Sequence, residues 1–410
     1  MLNDIYVELQ ALERLRGSPA GGYLDDFTDW LATRRYTKLT IRSYVIAAVR
    51  FMDWAQETQG DKLVVDEHQV HDYRRHLDAT ATSRNRNGER GNYYCGARRF
   101  LAFLQDAGIV EHQVPSGSAL VEAFCVWLRR HRGISDATLN QYRPVVIKLV
   151  EALGSETTDY TAGKLRSFVL QQVKGYSHSR TETIVISVRM FTRFLIATEQ
   201  CAEGLEHVIP RVAGWRASSL PKYLPATDIE RTIAACDPSR PIGARDRAII
   251  LLLARLALRA GDVAELKCSD IDWDEARIRL TGKNRRENWL PLPQDVGDAI
   301  LHYLEHGRPT VACDRLFIIS TAPYTPIRPR QVSQTAQRAL LCAGVETPSY
   351  GAHIFRHSAA TTMLRNGASL DEIGALLRHN DADTTALYAK VDVDLLGQVA
   401  LPWPEEVAPC

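Results

Sequence analysis

Two stretches of the N-terminal half repeat one aromatic pattern. Phe27, Trp30 and Leu31 are matched by Phe124, Trp127 and Leu128. Thr40, Ile41 and Tyr44 follow the first set, and Thr138, Leu139 and Tyr142 follow the second. Each copy later carries Phe-x-x-Phe-Leu, at Phe100, Phe103, Leu104 and at Phe191, Phe194, Leu195. Apolar residues three and four apart fall on one face of a helix, so this half must build small helical bundles. Two helical domains are expected, at about 20–110 and 118–200. The shared pattern fits either two similar bundle cores or a duplicated segment.

With 410 residues the chain exceeds one typical domain. Its longest apolar stretch, 248–258, contains Arg255 and is too short to cross a bilayer, so it is expected as a buried helix. No signal peptide is visible at the N-terminus. The eight cysteines are scattered without a Cys-x-x-Cys pair, which argues against a zinc site or a disulfide framework and suits a reducing compartment. Net charge is only +1, so any affinity for an anionic polymer must come from local clusters. Arg98 and Arg99 form one such cluster, with Arg84, Arg86 and Arg90 nearby; Arg129, Arg130, Arg132, Arg143 and Lys148 form the other. Either cluster is a solvated face or a phosphate-contacting one.

Residues 206–223 are rich in Pro, Gly and Ser and are expected to be a linker. Beyond it, helices give way to strands and then to helices again. Arg259 is expected to end the buried helix 246–258, with Gly261 breaking it and Asp262-x-x-Glu265 starting the next. Ala276, Ile278 and Leu280 alternate with Arg277 and Arg279, and Gly282-Lys283-Asn284 makes a turn before Trp289, Leu290 and Leu292. A β-hairpin is expected there, with Lys283 at its tip. His353 and Arg356 share one helix face, and that helix ends at Asn366-Gly367. Ser369 and Glu372 start another, ending near Arg378-His379; Asp383 is placed to cap the last helix, which carries Tyr388.

Singly these are weak signals. In order, Arg259, Lys283, His353-x-x-Arg356, His379 and Tyr388 resemble the tyrosine recombinase (phage integrase, Xer-like) family, whose pattern is Arg, a β-turn Lys, His-x-x-Arg, His or Trp, then Tyr. Ser269-Asp270-Ile271-Asp272, Leu290-Pro291-Leu292 and Leu220-Pro221-Lys222-Tyr223-Leu224 are also similar to that family. The resemblance is strong over about 118–400 and weaker before it. Two departures stand out: Ala-Leu-Arg259-Ala-Gly-Asp262 replaces the usual Gly-Leu-Arg-Ile-Ser-Glu corner, and Arg378 stands where a glycine is usual.

The resemblance implies a mainly α fold with a small antiparallel sheet, and helical core-binding domains that form a C-shaped clamp on duplex DNA. The expected domains are 1–115, a helical module of core-binding-like kind; 118–205, core-binding; 206–223, linker; 224–401, catalytic; and 402–410, tail. The implied activity is site-specific recombination through a 3′-phosphotyrosine intermediate, serving integration, excision or transposition. Tyr388 would be the nucleophile, with Arg259, Arg356 and His379 on the phosphate oxygens, His353 as proton acceptor or relay, and Lys283 as general acid. No cofactor and no metal is implied. The implied partners are duplex recombination sites, in a homotetramer or with a sister recombinase, at a cytoplasmic, nucleoid-associated location. The alternatives are DNA relaxation of the type IB topoisomerase kind and a catalytically idle accessory subunit.

Overall fold

The structure is a computed structural model that describes residues 2–6, 8–60, 65–80, 89–110, 118–212, 222–281, 287–347, 349–378, 385 and 388, of which 89, 90, 118, 281 and 287 are described in backbone only. Two compact units emerge. One comprises Met1–Val64, Asp72–Phe103 and Ala217–Cys410, the other Val65–His71 and Leu104–Arg216.

Five helices open the chain: α1 (Leu9–Arg16), α2 (Leu24–Thr33), α3 (Lys38–Gln59), α4 (Glu67–Ala79) and α5 (Glu89–Asp106). Four more follow: α6 (Ser118–Arg132), α7 (Asp136–Leu153), α8 (Ala162–Gln172) and α9 (His178–Ala197). The repeated aromatics occupy matching places. Phe27 meets Phe100 edge-on at 5.1 Å, and Phe124 meets Phe191 edge-on at 5.3 Å. Trp30 lies 6.1 Å from Phe103, and Trp127 lies 5.8 Å from Phe194. The turns match too: Arg35 (φ 61°) and Gly133 (φ 58°) each adopt the left-handed conformation two residues before the cap of the next helix. At those caps the Thr37 and Thr40 hydroxyls are 2.9 Å apart, and the Ser135 and Thr138 hydroxyls 3.2 Å apart. Arginine in place of glycine at the first turn accepts the usual left-handed penalty.

Small residues let the long helices approach. A Cβ added to Gly96 of α5 would lie 2.2 Å from the Ala47 Cβ of α3. In the second copy buried Ser187 takes this place, its hydroxyl donating to the Thr183 carbonyl at 2.6 Å. Gly96→Ala should therefore destabilise despite better helix propensity, by about 1–3 kcal/mol from overpacking. Urea unfolding checks this; an unchanged midpoint would mean that the helices separate without cost.

The C-terminal region contains α10 (Ala226–Ala234), α11 (Pro241–Arg255), α12 (Ala260–Glu265), α13 (Gln294–His306), α14 (Pro329–Cys342), α15 (Ala352–Arg365) and α16 (Leu370–Leu377). Between α12 and α13 lie β1 (Ile271–Asp272), β2 (Arg277–Thr281) and β3 (Glu287–Pro291), an antiparallel sheet in the order β1-β2-β3. The molecule is thus mostly helical with one small sheet among the described residues, as the sequence implies. Helix α11 packs on α13, α14 and α15 together, so its apolar run Ile249 to Leu253 is buried throughout, while its charged residues lie at the two ends. The hairpin register pairs Ile278 with Leu290 and Arg279 with Trp289. Ile278, Leu280, Leu290 and Leu292 face the core, while Trp289 stays exposed beneath the Arg277 guanidinium, 4.5 Å from its ring.

One expectation needs correction. Helix α11 ends at Arg255, not at Arg259. The chain reverses at Ala257 (φ 50°), and Arg259 is extended (φ −75°, ψ 151°) at the cap of α12. Gly261 lies inside α12, and Asp262 is not its cap. The Asp262 carboxylate instead accepts the Arg259 backbone N–H at 3.0 Å, the orphan donor of the helix start. The sequence hid the break because Ala257 and Leu258 are apolar and continue the run; both are buried in the fold.

Candidate active site

Three helix ends build the site. The α11–α12 corner supplies Arg259, the first turns of α15 supply His353, Arg356 and His357, and the C-terminus of α16 supplies backbone carbonyls. Arg356 is buried, donating from Nη1 to the Ala257 carbonyl at 2.8 Å and from Nη2 to the Leu377 carbonyl. The Arg259 Nη2 donates to the carbonyls of Leu377 (3.3 Å) and Arg378 (3.1 Å). The Leu377 oxygen therefore sits between two guanidiniums. A helix C-terminus is the favourable place for cations, because its last carbonyls lack helical partners.

Arg378 closes α16 in the left-handed conformation (φ 51°), where glycine is usual. Its side chain explains the exchange. It pairs with Asp262, and both are largely buried. One carboxylate thus caps α12 through the Arg259 N–H and ties α12 to the end of α16. The ion pair offsets backbone strain of about 1–2 kcal/mol.

Among the described residues, neither Arg259 nor Arg356 has a carboxylate as an ion-pair partner. Desolvation by burial, followed by repulsion from Arg259, lowers the Arg356 pKa to about 10. Arg356 still remains protonated at neutral pH. Two neighbouring cations with carbonyl partners alone favour an anion, and a guanidinium retains further N–H donors for one.

Thr385 and Tyr388 have helical backbone. Tyr388 is buried in an apolar cluster with Ala257, Ala360, Leu364, Ile373 and Leu377. Its hydroxyl lies 2.9 Å from Nδ1 of His357, and the two rings are 5.6 Å apart. Burial raises the Tyr388 pKa above its ordinary value, and Arg356 and Arg259 pull it back. The proton therefore stays on the phenol at neutral pH. Burial, then His353 and Arg356, lowers the His357 pKa below its ordinary 6.5. The His353 pKa is lowered in the same way by desolvation, Arg356 and Arg259, although part of this residue reaches solvent. Both imidazoles are neutral at pH 7.

The structure thus brings together Arg259, His353, Arg356 and Tyr388 of the expected set. Lys283, His379 and the proposed cap Asp383 lie outside the described residues, as does the 402–410 tail. The sequence points to His353 for the proton and assigns His357 no role, while the structure places His357 beside the Tyr388 hydroxyl. The signal was available: 353, 356 and 357 are spaced i, i+3, i+4, so all three share a helix face.

The expected DNA-contacting residues divide. Arg129 pairs with Asp136 at 2.7 Å and Arg143 with Glu122 at 2.7 Å, so both are engaged within their own bundle. Arg98, Arg130, Arg132 and Lys148 are exposed, and Arg99 is half-buried. In the expected linker, Ile209 is buried in the second bundle, and the carbonyls of Ile209 and Pro210 accept from Arg189 at 3.1 and 3.2 Å. Among the described residues no group of His, Cys, Asp or Glu is arranged to hold a metal, and no helix is long and apolar enough to cross a membrane.

This geometry can be set beside known proteins. Residues 222–394 match the phage integrase family, a span that includes every residue of the site. The putative integrase/recombinase y4rA of Sinorhizobium fredii (strain NBRC 101917 / NGR234) is 36% identical, over 97% of each chain. The chain belongs to the phage integrase family. It is similar to the tyrosine recombinase XerD of Vibrio vulnificus (strain YJ016), with 26% identity over 72% of this chain and 95% of XerD. The fold is similar to that of XerH site-specific recombinase bound to palindromic difH substrate, with 18% identity, a TM-score of 0.55, and coverage of 84% of this chain and 99% of that one. By family the chain is a tyrosine-type site-specific DNA recombinase, an enzyme class of integrases and recombinases.

Proposed function

We propose that the chain cuts and rejoins duplex DNA by attack of Tyr388 on a phosphodiester, leaving a 3′-phosphotyrosine bond and a free 5′-hydroxyl. The observation that carries this reading is the Tyr388 hydroxyl, hydrogen-bonded to a neutral imidazole beside buried Arg356 and neighbouring Arg259, which among the described residues have carbonyls rather than carboxylates as partners. Arg259 and Arg356 stabilise charge as it develops on the non-bridging oxygens. His379 adds a donor, and Lys283 protonates the departing 5′-oxygen, roles that rest on the family resemblance alone. Guanidiniums supply the stabilisation that metal ions give in other phosphoryl transfers, and the phosphotyrosine bond conserves the energy needed for rejoining. The reading therefore requires no metal and no ATP.

The wider assignment follows the same logic. Residues 224–401 form the catalytic domain, and 118–205 hold DNA mainly through phosphate contacts from exposed Arg130, Arg132 and Lys148. The 1–115 module is a second helical DNA-holding copy. The two modules and the catalytic domain close on duplex DNA as a clamp, and four protomers join two sites. The biological setting is integration, excision or transposition of a mobile element, supported by relatives named as integrase/recombinase.

Covalent trapping tests the reaction. A duplex selected from a randomised pool by binding to the Tyr388→Phe chain would be nicked beside its cleavage position and incubated with wild-type protein. The expected result is a protein–DNA adduct that survives denaturant, with a 3′-phosphate attached to protein. Absence of any adduct would favour an idle binding subunit. Relaxation of a supercoiled plasmid bearing the site, without exchange between two such sites, would favour the topoisomerase reading.

A further inference from the structure

We propose that His357 is a further catalytic residue, whose Nδ1 takes the phenolic proton as Tyr388 attacks phosphorus and returns it when the strand is rejoined. The inference rests on the reading of Tyr388 as nucleophile. It starts from the 2.9 Å contact between the Tyr388 hydroxyl and Nδ1, which is within direct proton-transfer distance. A buried phenol beside two cations still cannot attack until its proton has somewhere to go. His357 stands one helical turn beyond His353, its ring centroid 6.2 Å from that of His353, and is the less exposed of the two.

The step balances. The Tyr388 O–H proton passes to Nδ1, the new O–P bond forms, and the old P–O5′ bond breaks with its oxygen protonated by the general acid. During rejoining a 5′-hydroxyl attacks phosphorus and gives its proton back to the deprotonated general acid, the P–O bond to Tyr388 breaks, and His357 protonates the departing phenolate. Between the steps His357 holds one positive charge. The groups facing it are His353, Arg356 and Tyr388, with Arg259, Asp262 and Arg378 around Arg356. Without DNA, burial first, and then neighbouring His353 and Arg356, keep the imidazole neutral and ready to accept. A bound phosphodiester brings negative charge to the two guanidiniums, which raises the basicity of His357 when it is needed. The assignment requires the tautomer with the proton on Nε2.

The test uses the full-length chain and the selected nicked duplex. Loss of a general base slows reactions by about 10²–10⁴-fold, and His357→Ala should fall in that range for adduct formation. Its rate should then climb with pH as the phenol begins to ionise unaided, and added imidazole should restore part of it. Wild type should instead reach a plateau near neutrality. His357→Asn keeps a hydrogen-bond partner for the hydroxyl but cannot take the proton, so it should remain as slow as His357→Ala while binding the duplex normally. Wild-type rates or an unchanged pH profile in either variant would overturn the role while leaving the Tyr388 adduct standing. Recovery in His357→Asn alone would likewise overturn it in favour of simple positioning. Nitrogen spectra of ¹⁵N-histidine protein need no DNA: an unprotonated Nδ1 that shifts in Tyr388→Phe supports the proposal, and a protonated Nδ1 overturns it. Failure of wild type to form any adduct would remove the underlying reading, and the proposal with it.

Discussion

Tyr388→Phe should abolish the covalent DNA adduct while leaving the protein folded and able to bind the same duplex. The expected loss is complete because, in the proposed reaction, the phenolic oxygen is itself the atom that bonds to phosphorus. Every other group only stabilises charge or moves a proton, and removing one of those slows the reaction without changing its course. The cost to the fold is small. Phenylalanine fills the same apolar cluster beside Ala257, Leu364 and Leu377, so no cavity opens. The hydrogen bond to His357 is lost, worth about 0.5–1.5 kcal/mol, and half-buried His357 can recruit water. Tyr388→Ala would confuse the result, because emptying this site costs about 3–5 kcal/mol. Denaturing gels with end-labelled duplex measure the adduct, and thermal melts and mobility shifts measure the rest. An adduct that persists in Tyr388→Phe would place the nucleophile elsewhere.

How much of this was legible in the sequence differs from residue to residue. The helix caps at Asn366-Gly367 and Ser369…Glu372 were readable because capping is local chemistry: Gly367 has φ 87°, and the Ser369 N–H donates to the Glu372 carboxylate at 2.8 Å. The hairpin was readable for a similar reason, since a period of two needs no tertiary knowledge. The α11–α12 corner was misread because its break rests on long-range packing. Ala257 tolerates a left-handed backbone where its carbonyl accepts from Arg356, ninety-nine residues away in sequence. Asp262 was seen as a helix starter, yet its partner Arg378 lies 116 residues on. His357 was missed for a different reason. The motif drew attention to Arg356, and only the packed structure places the next side chain against the tyrosine hydroxyl. The repeat was visible as letters alone, and the matched Phe–Phe and Trp–Phe distances give it physical form in each bundle.

Arg356→Ala should produce the largest combined loss, in rate and in stability. Arg356 holds two buried carbonyls, those of Ala257 and Leu377. Removing it takes that donor from the Ala257 carbonyl and leaves the Leu377 carbonyl with Arg259 alone, at about 1–3 kcal/mol for a buried polar group left unpaired. The left-handed turn at Ala257 and the end of α16 lose the same tie, so Arg259 loses its seat on Leu377 and Arg378 as well. The rate loss should therefore exceed that for a single phosphate donor, about 10²–10³-fold, and reach roughly the 10³–10⁵-fold attributed to a transition-state arginine. Arg356→Lys separates the two effects. Its ammonium keeps the charge and can satisfy one carbonyl, so most of the stability should return. It lacks the planar fork that spans two acceptors while still facing a phosphate, so the rate should stay low. Urea unfolding and adduct formation, measured on both variants, decide the point. If Arg356→Lys recovers rate and stability in proportion, the arginine serves only to hold the two helix ends. If stability returns without rate, the guanidinium acts on the phosphate directly.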